Sequence, residues 1–145
     1  MIDVRIQTEA FDTAALLVSL QADGVGAISS FTGLVRSDDG VTAIELEHYP
    51  AMTEASLRAV AAEAQHRWNL SSAIIVHRVG KMVVGEPIVF VAAASAHRAE
   101  ALAACAFLID RLKTGAPFWK KEYRGEQANW VEAKTSDDAR AADWD

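Results

Sequence analysis

The chain opens on an alternation. Ile2, Val4 and Ile6 are apolar between polar neighbours, the period of a strand with one buried face, and Phe11 to Leu20 follows with apolar positions 16, 17 and 20 of a short helix. After the turn Asp23-Gly24, the run GAISSFTGLV (Gly26–Val35) is apolar and β-branched enough for a strand that ends at Arg36. Ser37-Asp38-Asp39-Gly40 turns the chain. Val41 to His48 then alternates Ile44, Leu46 and His48 against Glu45 and Glu47, so 26–35 and 41–48 are expected to form an antiparallel hairpin with one solvated face. Tyr49-Pro50 breaks that strand, and Thr53 is the expected cap of a helix with the stripe Leu57, Val60, Ala61, Ala64 and Trp68. Its outward charges Glu54, Arg58, Glu63 and Arg67 fit a solvated face.

Ala73–Val79 reads as the next strand and Gly80–Gly85 as a connector to the strand Ile88–Ala94, with Pro87 confining that strand's start to an edge or first position. The strongest periodicity comes next. Ala101, Leu102, Cys105, Leu108, Ile109 and Leu112 mark one face of a helix over His97–Lys113, capped by Ser95 or His97 and ended by Gly115 in a left-handed C′ conformation before Pro117. Phe118-Trp119 reads as an aromatic turn, Ala128–Ala133 as a short last strand, and about 135–145 as a polar, acidic tail expected to fray. With no repeat or linker, the order β-α-β-β-α-β-β-α-β predicts one α+β domain over 1–145, a largely antiparallel mixed sheet packed with helices.

Charge narrows the function. The 145 residues carry a formal net charge of −6, which argues against a nucleic-acid binder, because phosphate-backbone binding calls for a basic face. No apolar run is long enough to span a membrane and Met1–Arg5 lacks the pattern of a signal peptide, so a cytoplasmic protein is expected. The one cysteine, Cys105, falls on the buried stripe and is read as a core residue; no disulfide, metal site or cofactor is expected. His77, within a strand and without metal-spaced partners, reads as a core or rim histidine.

Against that acidic background a set of cations stands out. His97 and Arg98 occupy the first turn of the strongest helix, where the dipole opposes positive charge and an anion would balance it. Lys113 closes the same helix, Lys120 and Lys121 flank the aromatic segment, and Arg36 stands at a strand end. Such a set suits a phosphate and a carboxylate, and a lysine among other cations has its ammonium form disfavoured, which suits it to acid-base or nucleophilic work. No phosphate loop, GxSxG, HExxH or CxxC occurs.

The segments FTGLVR (Phe31–Arg36), LEHYPAMTE (Leu46–Glu54), HRVGKMVVGE (His77–Glu86), SAHR (Ser95–Arg98), LIDRLKTGAPFWKKE (Leu108–Glu122) and WVEA (Trp130–Ala133) stand in one order at compatible spacing. Together they resemble the large, catalytic subunit of molybdopterin synthase over about Gly26 to Lys134. The resemblance implies an α/β-hammerhead-type fold and sulfur transfer in molybdenum-cofactor biosynthesis, in which cyclic pyranopterin monophosphate receives two sulfurs and becomes the dithiolene molybdopterin. It implies as partner a small ubiquitin-like sulfur-carrier subunit whose C-terminal Gly-Gly ends in a thiocarboxylate, and a homodimer within a 2+2 heterotetramer. An external donor agrees with a lone cysteine on a buried stripe.

By motif, the resemblance makes Lys113 and Lys120 the catalytic candidates. Leu34, Val35, Arg36, His97, Arg98, Lys121 and Glu122 join them as substrate-binding positions. The family has a basic residue just after WVEA, arginine in some members; this chain has Lys134 there, which lacks the bidentate fork. Helix length adds a constraint, since 16 residues between His97 and Lys113 at 1.5 Å each separate them by roughly 24 Å, so a single pocket using both needs two chains. Two alternatives use the same cations: a non-catalytic dimeric module binding an acidic peptide tail or anionic metabolite, and an acyl- or phosphoryl-transfer enzyme, for which no nucleophile or metal-ligand set is found.

Overall fold

The computed structural model describes residues 1–131 and 135–145, with the side chains of 135–137 left aside. In chain order the elements are β1 (Ile2–Gln7), α1 (Thr13–Ser19), β2 (Ala27–Leu34), a 3-10 turn (Asp38–Gly40), β3 (Ala43–His48), α2 (Pro50–Trp68) and β4 (Ser72–Arg78). Then come β5 (Gly80–Val83), β6 (Pro87–Ser95), α3 (Arg98–Gly115), β7 (Phe118–Arg124), β8 (Gln127–Val131) and α4 (Thr135–Ala142). The strands form two four-stranded sheets, β1-β4-β6-β2 and β5-β3-β7-β8. Only β1 and β4 pair in parallel.

Burial follows pattern. β4 and β6 occupy the interior of the first sheet and read as nearly continuous apolar runs because both faces are covered. Val89, Val91 and Ala93 of β6 face α2 and α3, with Leu57, Ala61, Phe107 and Leu108 in the largest core cluster. Phe90, Ala92 and Ala94 face α1 with Leu16 and Leu20. Asp12 caps α1, its Oδ1 accepting from the amides of Ala14 and Ala15 at 3.0 and 3.2 Å. A third cluster, Val35, Val41, Ile44, Leu46, Val79 and Met82, joins the sheets. The chain passes from β4 into β5 through Gly80, whose φ of +87° is the turn that redirects it into the second sheet.

The sequence expectations change at six places. The 26–35 and 41–48 segments are strands but not a hairpin: β2 pairs with β6, and β3 pairs with β5 and β7 in the other sheet. The connector 80–85 contains strand β5, and the aromatic turn is the start of β7. α2 begins at Pro50, because proline at the first position is already set for the helix. Thr53 lies inside it, fully buried, its hydroxyl donating to the Pro117 carbonyl at 3.5 Å. On α3 the buried face is Ala101, Ala104, Cys105, Phe107, Leu108 and Leu112, while Leu102 is 59% exposed, because the helix is wrapped by β6, α2 and α4 rather than by one surface. α3 does end at Gly115, but the next residue, Ala116, is extended, and Gly115 is not left-handed.

The tail is the sixth difference. Residues Thr135–Ala142 form α4, and Trp144 inserts edge-on against Trp68 and Phe107, with ring centroids 5.6 Å from each. Asp110 receives the Trp144 indole N–H at 2.8 Å and Arg140 at 3.4 Å, and Arg111 pairs with Asp145 at 2.9 Å. One large aromatic in an acidic run supplies the burial that the composition hides. Among the described residues no helix is long and apolar enough to cross a membrane.

Candidate functional site

The register of the first sheet gives a ruler for the cations. Gly33 of β2, Val89 of β6 and His77 of β4 form one row across the strands, and at the other end Ala27 pairs with Ser95. α3 starts beside the Ala27 end, directly after Ser95, and the Cys105 thiol bonds to Ser29 partway along. The helix therefore runs along β2 towards Gly33. Its far end, Lys113, arrives close enough to His77 to act on it electrostatically.

His77 is 4% exposed, with Nδ1 donating to the Arg78 carbonyl at 2.8 Å and its ring stacked on Phe118 at a centroid distance of 4.0 Å. Burial lowers its pKa to about 4, partly opposed by the bond to Arg78 and reinforced by the charges of Lys113 and His48. The imidazole is therefore neutral at neutral pH, and the charge at this end comes from lysine and arginine. Phe118 opens β7, where side chains alternate in direction, so Phe118, Lys120 and Glu122 share the face of their partners His48, Leu46 and Ile44 on β3. Lys120 is 37% exposed and 3.9 Å from Glu122, which also pairs with Arg124 at 3.4 Å. Lys121 points the other way, its Nζ 4.7 Å from the centre of the Trp130 ring.

Arg36 follows the end of β2, paired with Asp38 at 2.9 Å; both are more than half exposed, so the pair is weak, about 0–1 kcal/mol, and easily exchanged for another anion. Leu34 is 56% exposed beside it. Val35 is buried at 3%, and its N–H and C=O bond to Glu86 and Gly85, so it anchors the segment and offers neither side chain nor backbone to a ligand. Arg36, Lys113 and Lys120 are thus gathered around the Gly33–Val89–His77 end. His97 and Arg98 are exposed at the opposite end, where His97 is the N-cap residue of α3 without a side-chain cap bond. One chain divides the expected site in two. Lys134 lies outside the described residues.

The structure adds an open cleft of about 320 Å³ lined by Glu47, His48, Tyr49, Trp119 and Trp130, with Tyr49 and Trp119 edge to face at 4.8 Å. It borders the strand that carries Lys120. The period-2 reading of FWKKEYR, aromatic and charged on both faces, was the only signal for it. Cys105 is buried and its thiol pKa is raised by desolvation, partly opposed by the Ser29 bond, so it is held as the unreactive thiol. Among the described residues no group of three or more His, Cys, Asp or Glu is placed to hold a metal.

Comparison with known proteins gives a family. The family model described as MoaE protein matches residues 6–115. The molybdopterin synthase catalytic subunit of Cereibacter sphaeroides is 49% identical over 144 residues, 97% of this chain and 99% of that protein. Among solved structures, the molybdopterin biosynthesis MoaE protein from Burkholderia ambifaria has a TM-score of 0.86 at 47% identity, covering 99% of this chain and 98% of its own. The crystal structure of molybdopterin synthase from Staphylococcus aureus has a TM-score of 0.83 at 31% identity, covering 88% of this chain and 96% of that one.

Proposed function

The chain belongs to the family of molybdopterin synthase catalytic subunits, and from that premise we propose that it transfers sulfur to cyclic pyranopterin monophosphate in the cytoplasm, acting over 1–145 as one domain. The observation that carries this reading is the gathering of Lys113, Lys120 and Arg36 at one end of α3 and β2, around a buried histidine that stays neutral. Cationic groups there suit two anions, a substrate phosphate and the C-terminal thiocarboxylate of a small carrier subunit. With Cys105 buried and protonated, the sulfur comes from outside the chain.

In this reading the thiocarboxylate sulfur bonds to a side-chain carbon of the pterin as the cyclic phosphate opens, and water then cleaves the acyl–sulfur bond, leaving sulfur on the substrate and a carboxylate on the carrier. Lys113 faces the carrier's terminal carbonyl and stabilises its developing negative charge. Lys120 moves the proton or assists the departing phosphate oxygen, a contribution of about 10²–10⁴-fold for a positioned acid-base group. Two rounds give the dithiolene. Leu34, Lys121 and Glu122 border this end, and His97 and Arg98 bind the phosphate from a second chain, because the helix keeps them roughly 24 Å from Lys113 of their own. Two such chains and two carriers make the working assembly.

The test is mass spectrometry of the pterin after the purified chain is incubated with cyclic pyranopterin monophosphate and thiocarboxylated carrier. The reading expects a product carrying two added sulfurs and a carrier returned to the carboxylate. Tight binding of both anions without sulfur on the pterin would instead make the chain a non-catalytic binding module.

A further inference from the structure

We propose that β2 is the dimer-forming edge, pairing antiparallel with β2 of a second copy so that Arg36 of one chain meets His97 and Arg98 of the other. The inference rests on the two-chain site of the proposed function and supplies the surface that builds it. β2 is an outer strand of the first sheet, bonded to β6 on one side only. Its eight residues, AISSFTGL, contain no charge and no proline, the devices by which edge strands ordinarily avoid pairing. Ser30, Phe31, Thr32 and Leu34 are exposed, Phe31 by 40% and Leu34 by 56%, and Leu102 of the adjacent α3 by 59%. A second copy would cover all of these at once.

The other edges do not offer this. β1, at the far side of the same sheet, carries Asp3 and Arg5, already paired with each other at 2.7 Å. β5 has only four residues, and β8 belongs to the second sheet, away from the start of α3.

Register decides the argument. In an antiparallel pair made by a twofold axis, the residue numbers facing each other have a constant sum. An axis passing anywhere from Ser30 to Thr32 sets Arg36 level with a residue between Gly24 and Ile28 of the mate. That is the end where the Gly26 N–H donates to the Ser95 carbonyl at 2.9 Å and where a Cβ on Gly26 would fall 2.2 Å from the Ala96 carbonyl oxygen. His97 and Arg98 follow directly. The same operation carries Lys113, at the Gly33 end of its own chain, to the side where the mate's α3 begins. Each dimer then holds two composite sites, one at each end of the joined strands, and an edge pairing of this kind is self-complementary, as a twofold contact must be. It gathers cations, so a bound anion strengthens the dimer by mass action.

The full chain is tested with single cysteine substitutions Ser30→Cys, Phe31→Cys and Thr32→Cys, and with Arg5→Cys on β1 as control. A disulfide needs Cα atoms about 4.4–6.8 Å apart, so only a residue beside the axis bonds to itself across it. At least one of the three is expected to give a disulfide-linked dimer on mild oxidation, and Arg5→Cys none. Thr32→Asp, which sets like charges against each other near the axis, is expected to sediment as a monomer, to keep the parent's circular dichroism, and to lose at least tenfold in affinity for inorganic phosphate. A dimer that cross-links at none of the three positions, or a folded Thr32→Asp protein that stays dimeric with parental phosphate affinity, overturns the inference. Neither result touches sulfur transfer, which is read separately from the pterin product; a cross-linked dimer that fails to transfer sulfur leaves this surface standing and removes the proposed reaction.

Discussion

His77 should make the fold sensitive to acid in a defined window. Its pKa is about 4 when folded, against an ordinary 6.5, chiefly through burial and secondarily through the charges of Lys113 and His48. Above pH 6.5 the imidazole is neutral in both states and contributes nothing to the pH dependence. Between 6.5 and 4 the unfolded chain takes up a proton that the folded chain refuses, so stability falls as pH falls, and below 4 the loss is complete. The folded pKa is depressed by 2.5 units, and at 1.36 kcal/mol per unit the full loss is about 3 kcal/mol. Roughly 2 kcal/mol of it is already lost at pH 5. The comparison protein is His77→Phe, which keeps a ring against Phe118 but leaves the Arg78 carbonyl without its donor, at a pH-independent cost of about 1–3 kcal/mol. Urea unfolding of both proteins between pH 7.5 and 4 reads the difference. The stability gap between parent and variant is expected to narrow by about 3 kcal/mol on acidification, and in the parent the His77 ring proton should show no NMR titration above pH 5. A gap that stays constant with pH, or a His77 resonance titrating near 6.5, would refute the account of this end of the site.

Three further outcomes follow from named contacts. Lys113→Ala and Lys120→Ala should each lower single-turnover sulfur transfer by about 10²–10⁴-fold, with melting temperatures close to the parent's because neither side chain belongs to the core. Arg98→Ala should weaken binding of the pterin phosphate in calorimetry and leave the ligand-free melting temperature equal or slightly higher, since it removes a cation from a helix start. Asp110→Ala removes the acceptor of the Trp144 indole and of Arg140, and should cost about 1–3 kcal/mol with a red shift of tryptophan fluorescence as the C-terminal segment loosens.

Much of this was legible because the strongest periods are local. The α3 stripe, the apolar runs of β4 and β6 and the placement of cations at helix and strand ends can be read from spacing alone. The strand partners cannot. Neighbouring strands usually pair, but β2 and β3 part company because each has a longer apolar partner elsewhere, β6 for one and the β5–β7 pair for the other. β7 stayed hidden because Lys120, Lys121 and Glu122 break the apolar alternation that marks a half-buried strand. Residues far apart in sequence make the aromatic cleft, with His48 and Tyr49 on one side and Trp119 and Trp130 on the other. The neutral state of His77 depends on Phe118 and Lys113 closing over it, and its own strand gives no sign of that. Val35 illustrates the limit of motif reading: it stands beside Arg36 in the sequence, yet its side chain faces Val41, Ile44 and Met82.

Mixing two inactive proteins tests most directly whether the sulfur-transfer site is built from two chains. Lys113→Ala damages the lysine half and Arg98→Ala the half at the start of α3, so each homodimer lacks both intact sites. A mixed dimer made by subunit exchange holds one site with both lesions and one with neither. Supplied with thiocarboxylated carrier and cyclic pyranopterin monophosphate, and with the mixed dimers verified by native mass spectrometry, the exchanged sample should recover up to half the parent's sulfur transfer per mixed dimer. Verified mixed dimers that form no sulfur-bearing pterin would contradict the account.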